Sequence, residues 1–238
     1  MTSGTSLWVY LASTPLLWLA LTLTAYALAY RLFLASGMRP IVNPVVIAAG
    51  AIIVLLLATD TSYDAYFDGA QFVHFLLGPA IVALAVPLFD QARRIRRVLL
   101  PMAVALVAGS ITAITSTVAV AWALGASRET LLSLAPKSVT TPIAMGISER
   151  IGGLPSLTAA FVLITGITGA IVATPFLNAL GFRDWRARGF AVGIAAHGLG
   201  MARAFQVNEL AGIFAAIAMA LNGLVTAILV PLLVPLLF

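Results

Sequence analysis

Long apolar stretches separated by short polar connections dominate the pattern of this chain. A helix needs about 20 mainly apolar residues to cross a bilayer, so the pattern predicts an all-α protein with several membrane crossings. The stretches are continuous and lack the alternation that is typical of a membrane barrel. Eight of them are delimited at 7–34, 41–59, 71–89, 98–124, 131–148, 156–180, 189–205 and 211–238.

Composition agrees with this pattern over the whole length. Of the 238 residues, 62% are hydrophobic and 9% are charged, whereas a soluble domain has about 25% charged residues. We therefore predict a single membrane domain over residues 1–238. The chain has no cysteine, which excludes disulfides and thiolate metal sites, and we assign its net charge of +5 to orientation in the membrane rather than to nucleic-acid binding.

The charges between the stretches predict this orientation. Arginines occur at 31–39, 93–97 and 183–188, whereas aspartates fill the second connection. Basic loops remain in the cytoplasm, so the N-terminus is expected outside. All basic loops are cytoplasmic only if the stretch 131–148 enters and leaves the membrane on the same side. We predict about seven crossings plus this re-entrant segment, with the C-terminus inside.

The stretch 131–148 differs from the others because Pro136, Lys137 and Pro142 interrupt it. Charged and helix-breaking residues at membrane depth mostly line cavities or bind something. A lysine with neighbouring hydroxyls on unwound backbone is suited to a small anion, and Pro142 allows a half-helix to begin with its free amides directed at that anion. The alternative is a lysine that reaches the interface while the prolines merely end helices. The candidate substrate ligands here are Lys137, Ser138, Thr140 and Thr141.

A second group of candidates lies in the seventh stretch, where His197 and Arg203 flank Gly198 and Gly200. Histidine titrates near neutral pH and arginine binds a carboxylate through two hydrogen bonds, so the pair is suited to proton coupling or to a second polar wall. The alternative is a buried histidine bonded to a carbonyl and an arginine that anchors a helix end. Asn222, in the last stretch, is a further candidate ligand, although hydrogen bonding between helices is the commoner use of such a residue.

Helix breaks recur on both sides of the interrupted stretch. Gly78 and Pro79 form one predicted break, and residues 197–200 form another. Because the spans before and after the interruption would run in opposite senses, segments 41–124 and 156–238 are candidate inverted repeats. Inverted repeats around discontinuous helices are the usual plan of secondary transporters.

Enzyme chemistry is not predicted. The chain has two histidines, His74 and His197, which do not have the spacing of a metal site. Lys137 and Ser138 could form a hydrolase pair only after unwinding, because neighbours on a helix point about 100° apart. We expect no catalytic residue, no metal and no cofactor.

Several motifs closely resemble the LrgB/CidB family, which is also called YohK. The resemblance is carried by segments 77–88, 136–144, 151–159, 187–189, 197–203 and 218–223. The lysine motif, Pro-Lys-Ser-Val-Thr-Thr-Pro, is the most specific of these. Family members usually have a serine before the histidine and a threonine before the Ala-Arg pair, where this chain has Ala196 and Met201.

The resemblance implies two kinds of function. Bacterial members are named as antiholin-like regulators of murein hydrolases and autolysis, plastid relatives carry glycolate and glycerate, and other bacterial members are tied to pyruvate uptake. Similarity to cation–proton antiporters and bile-acid carriers implies an elevator mechanism. We therefore predict a secondary transporter of small monocarboxylates, such as glycolate, glycerate, pyruvate or lactate, that is coupled to protons or another ion. The alternative is a holin-like or antiholin-like pore or regulator of murein hydrolase activity.

The resemblance also implies the setting. It indicates a multi-pass protein of the bacterial cytoplasmic (inner) membrane that acts with a small LrgA/CidA-type membrane partner. Small-residue spacings such as Gly166 to Gly169 allow close helix packing and leave a homo-oligomer open. Lipid is expected as a further partner and nucleic acid is not.

Overall fold

The computed structural model describes residues 15–83 and 98–237, which form helices and short connections without a strand. The helices defined in these ranges are α1 (Pro15–Ala35), α2 (Pro44–Ala58), α3 (Tyr63–Ala83), α4 (Leu99–Ala123), α5 (Arg128–Leu134), α6 (Thr141–Ile151), α7 (Pro155–Ala179), α8 (Trp185–Val207) and α9 (Glu209–Leu237). Among them, α1, α4, α7 and α9 are long and apolar enough to cross a membrane. The predicted all-α membrane fold is confirmed at this level. The start of the first predicted stretch and the basic connection at 93–97 lie outside the described residues.

The chain divides into two compact units, Met1–Ala85 and Val86–Phe238. In the first unit, α1 packs against α2 and α3. Trp18 is completely buried and meets the ring of Tyr66 edge to face at 5.9 Å. Asn43 caps α2 by accepting a hydrogen bond from the Val45 amide at 2.9 Å, which satisfies one of the free donors at the helix start.

The prediction of a helix break at Gly78 and Pro79 is wrong, because α3 continues through both residues to Ala83. A proline inside a helix removes one backbone hydrogen bond, and the bonds on either side can carry the helix past it. This pair therefore contributes no unwound backbone.

In the second unit, α5 and α6 form a hairpin, called the first hairpin here (residues 128–151). The hydroxyl oxygen of Thr158 lies 3.0 Å from the Ser133 carbonyl oxygen and 2.7 Å from the Ser148 hydroxyl oxygen. The part of α6 that leads to Ser148 is itself about 10 Å long. Ser133 and Ser148 can both lie next to the Thr158 hydroxyl oxygen only if the chain reverses its direction between them. The reversal is the segment 135–140, called the first tip.

Helix α8 also folds back on itself and is called the second hairpin (residues 185–207). Its helical geometry fails at Ala196 (φ −131°, ψ 18°) and His197 (φ 39°, ψ −135°), which form the second tip. A Cβ atom on Gly200 would lie only 3.2 Å from the Val192 carbonyl oxygen. A straight helix would separate these positions by about 12 Å.

The single crossing predicted for residues 189–205 is therefore not confirmed, because the chain reverses direction at Ala196 and His197. The sequence indicated a helix break at this place, but it did not show whether the chain continues in the same direction or turns back. Small residues allow the first arm of this hairpin to pack closely on α9. A Cβ on Gly189 would overlap the Ala211 carbonyl oxygen, and a Cβ on Gly193 would overlap the Ala215 carbonyl oxygen. Both contacts advance by four residues together, so the first arm of the second hairpin runs parallel to α9. The second arm, which joins them in sequence, must therefore run antiparallel to both.

The two hairpins approach the middle of α7 from opposite ends. The base of the first hairpin lies at the start of α7, where the Leu154 amide donates to the Ser133 hydroxyl at 2.8 Å. The base of the second lies near the other end, where Arg188 donates to the carbonyl oxygens of Thr174 at 3.4 Å and Phe182 at 3.3 Å. With 25 residues, α7 is about 37 Å long.

A hairpin followed by a long helix thus occurs twice, at 128–179 and at 185–237. Along α7, Gly169 meets Ala196 and Thr174 meets Arg188, so α7 runs antiparallel to the first arm of the second hairpin. That arm is parallel to α9, so the two long helices run in opposite senses. These limits differ from the predicted repeats at 41–124 and 156–238.

Candidate functional site

The two tips meet at Asn222 of α9, whose side chain is 1% exposed. Its amide nitrogen donates to the Ser138 carbonyl oxygen of the first tip at 3.3 Å and to the Ile194 carbonyl oxygen beside the second tip at 3.1 Å. Its amide oxygen accepts from the Thr226 hydroxyl at 3.2 Å and lies 2.7 Å from the Ser110 hydroxyl, whose single hydrogen it shares with the Leu106 carbonyl oxygen. All four hydrogen-bonding positions of the amide are filled by protein groups.

Lys137 is the only lysine of the chain and lies in the first tip. Its side chain is half-buried, and its Nζ donates to the Ser138 hydroxyl at 3.3 Å. Within the described ranges no carboxylate forms an ion pair with it. Removing a charge from water is costly unless a counter-charge accompanies it, so the environment of Lys137 is suited to an anion from outside the chain.

The start of α6 adds further donors beside Lys137. Thr140 has an extended backbone (φ −63°, ψ 146°), and its side chain makes no capping bond to the helix. Pro142 occupies the first turn, where its missing N–H is not needed. The half-buried hydroxyls of Thr140 and Thr141 make no hydrogen bond to the described part of the chain and remain available to a ligand.

His197 forms the second tip and is buried. Its Nε2 lies 2.9 Å from the Val162 carbonyl oxygen, and a carbonyl only accepts, so this nitrogen carries the proton. In the neutral ring, Nδ1 is then the acceptor. His197 follows Ile194 by three residues and Lys137 precedes Ser138, and both Ile194 and Ser138 accept from Asn222, which brings two predicted site residues to one region.

Glycines on α7 make room for the second tip. A Cβ on Gly166 would lie 2.6 Å from Cε1 of His197, and a Cβ on Gly169 would overlap the Cβ of Ala196. The small-residue spacing that the sequence offers for helix packing is therefore used within the chain. Gly198 is not crowded, since a Cβ there would lie 3.9 Å from the Met219 sulfur atom.

Arg203 lies on the return arm of the second hairpin, six residues beyond His197 and about 9 Å along the arm. Its Nη1 donates to Gln206 at 3.2 Å near the surface. Of the predicted ligands, the structure groups Lys137 and Ser138 with His197 and Asn222 around the tips and places Arg203 towards the base.

Several residues that build the site carry a weak signal in the sequence. Ser110 is one of five hydroxyl residues in an apolar helix and is indistinguishable there from Ser116, which only bonds its own helix. Arg188 reads as part of a basic loop, yet it is 7% exposed and its guanidinium lies 4.4 Å from the ring centre of Trp185. Pairings between distant helices decide these roles.

Comparison with known proteins gives consistent matches. The model of the LrgB-like family matches residues 22–236. The chain is 35% identical to the uncharacterized protein YxaC of Bacillus subtilis, over 90% of this chain and 93% of the relative. It is 31% identical to the antiholin-like protein LrgB of Bacillus mycoides (93% and 96%) and 30% identical to the holin-like protein CidB of Staphylococcus epidermidis (82% and 86%). No solved structure matches the chain significantly.

Proposed function

Because the chain belongs to the LrgB-like family and two hairpin tips, one of which carries Lys137, meet at Asn222, we propose that it is a secondary transporter of small monocarboxylates such as glycolate, glycerate, pyruvate or lactate. The observation that carries this proposal is Lys137, a half-buried cation that no carboxylate of the described chain neutralises. One carboxylate neutralises one ammonium, so the site favours a substrate with a single negative charge. The proposed setting is the bacterial cytoplasmic membrane.

In this proposal, the substrate carboxylate binds Nζ of Lys137 and the hydroxyls of Thr140 and Thr141. The first turn of α6 directs its free amides at the same position, and a helix N-terminus stabilises negative charge. His197 closes the opposite wall, and its Nδ1 is the group that takes up a coupled proton. Two discontinuous segments around one midplane site are the arrangement on which alternating access depends.

A holin-like or antiholin-like pore or regulator is the second candidate. The names of the relatives favour it directly, since CidB is called holin-like and LrgB antiholin-like, and neither name mentions a carboxylate. Transport is favoured by the local nature of the polar groups, which gather at two tips rather than along whole helices. A small LrgA/CidA-type partner belongs to this second proposal as well as to the first.

Uptake into proteoliposomes that contain only this chain separates the candidates. We expect radiolabelled glycolate, pyruvate or lactate to enter with saturation and to respond to a pH gradient, with protein-free liposomes as the control. Non-saturable release of unrelated solutes, such as glucose and a trapped dye, would support the pore. Absence of both activities in correctly inserted protein would contradict a self-sufficient carrier.

The position of the C-terminus is a further prediction. Starting from the basic segment 93–97 in the cytoplasm, α4 leads out, α7 leads back in, and α9 leads out again, because each hairpin returns on its own side. We therefore propose an external C-terminus in place of the internal one that the sequence indicates. A phosphatase fused after residue 238 should be active in the periplasm, whereas one fused after residue 182 should be inactive. Inactivity of both fusions would show that residues 185–207 cross the membrane.

A further inference from the structure

We propose that the two hairpins are two gates of one central site, each opening towards the opposite face of the membrane, and that Asn222 is the latch that both gates share. The inference rests on the proposed function only for the identity of the substrate that passes between the gates. The gates and the latch are argued from geometry.

The first step is the position of the hairpin bases. The first base is fixed to the start of α7 through Ser133, Leu154 and Thr158, and the second is fixed near its end through Arg188. Since α7 is long and apolar enough to cross a membrane, these bases lie at opposite faces. Each tip reaches inwards from its own face, so withdrawing one tip exposes the space between the tips to that face only.

The second step is the saturation of Asn222. Its two N–H groups are divided between the tips, one to Ser138 and one to Ile194, and its oxygen lies within hydrogen-bonding distance of two hydroxyls. A side chain with no free donor or acceptor is not a substrate ligand, so the ligand role that the sequence offers for Asn222 gives way to a positioning role.

The third step is the consequence for opening. If one tip withdraws, Asn222 loses one acceptor and keeps the other. If both tips withdraw together, Asn222 loses both protein acceptors and gains only water in their place, so this state costs more than the withdrawal of either tip alone. The latch therefore disfavours the state in which both gates are open, which is the state that would leak. Exclusion of that state is what a carrier requires and a pore does not.

Because the natural chain has no cysteine, single cysteines test the gates without a prior cysteine-free variant. Ser138→Cys marks the first tip, and Gly198→Cys marks the second at a position with room for a side chain. A membrane-impermeant maleimide is added to right-side-out and to inside-out vesicles. We expect the first cysteine to react only from outside and the second only from the cytoplasmic face. Reaction of both from the same face would overturn the two-gate arrangement.

The latch is tested by adding Asn222→Leu to each cysteine variant. Loss of both donors should raise labelling at the two tips at least several-fold and allow each tip to react from both faces. Thr226→Val is the matched control, because it removes one bond to the Asn222 oxygen and leaves both donors in place, so sidedness should persist. Unchanged labelling in a folded Asn222→Leu protein would overturn the latch.

These outcomes are separable from those of the transport assay. Opposed labelling without carboxylate uptake would leave the gates established and would contradict the proposed substrate. Saturable uptake together with labelling of both cysteines from the same face would support the proposed substrate and contradict the two gates. The labelling variants with native Asn222 test the gates even if Asn222→Leu does not fold.

Discussion

Replacing Lys137 with alanine is expected to abolish saturable carboxylate uptake while the protein still inserts and folds. A hydrogen bond to a charged group contributes about 1.5–3 kcal/mol, which corresponds to roughly 10- to 150-fold in affinity. The loss should exceed this range because the incoming carboxylate would then be desolvated without a counter-charge. The measurement is the concentration dependence of initial uptake, with the amount of inserted protein quantified.

Two variants make the Lys137 result specific. Arg186→Ala removes the same charge at an exposed place where Arg186 pairs with Asp184 and lowers the pKa of that carboxyl to about 2, and its uptake should be unchanged. Lys137→Arg keeps the charge but presents a planar fork in place of a compact ammonium, so partial uptake is expected. Undiminished uptake by Lys137→Ala would remove this lysine from the mechanism.

The second large effect is expected from a single methyl group at Gly193. Its Cβ would overlap the Ala215 carbonyl oxygen and lie 2.8 Å from the Cβ of Ala218, so Gly193→Ala forces the second hairpin away from α9. Overpacking of this kind costs about 1–3 kcal/mol, which lowers the melting temperature by roughly 2–12 °C for a chain of this size. Thermal unfolding in detergent measures the shift.

Gly146→Ala is the matched control for this second effect. Gly146 lies inside α6, and a Cβ there has no atom within 4 Å. Alanine is favoured over glycine in a helix by about 0.5–1 kcal/mol, so this variant should melt at the same temperature as the natural chain or slightly higher. Equal destabilisation of both variants would mean that the packing of Gly193 on α9 is not the cause.

The apolar pattern predicts the long helices because each carries its own signal. The stretches at 98–124, 156–180 and 211–238 correspond to α4, α7 and α9. The prolines near Lys137 mark the first tip, and the structure has a hairpin there. Its re-entry from one face of the membrane stays a prediction.

The second reversal could not be predicted in the same way. Nothing at 196–197 distinguishes a kink within a crossing from a complete turn, since glycines near a histidine are compatible with both. The outcome depends on Gly189 and Gly193 meeting α9 more than twenty residues later in the chain. Periodicity describes one helix at a time and carries no information about which pairs come into contact.

The candidate site could not be fully predicted either, because the sequence pattern does not show which side chains come into contact. The sequence offers Lys137 as the first candidate, His197 and Arg203 as a second group, and Asn222 chiefly as a residue for hydrogen bonding between helices, and it does not show which of them lie together. Contacts separate them: Asn222 is saturated by protein groups and binds both tips, Lys137 and His197 lie one in each tip, and Arg203 lies along the return arm. A substrate role for the first two stays a prediction.

One short connection determines how the second hairpin can move. Asn208 alone separates its return arm from α9; its amide binds the Ala204 carbonyl at 2.9 Å, and its side chain accepts from the Ala211 amide at 3.2 Å. A tether of one residue, bonded in both directions, gives the base no slack. The break in helical geometry at Ala196 and His197 is therefore left as the place where this hairpin can bend.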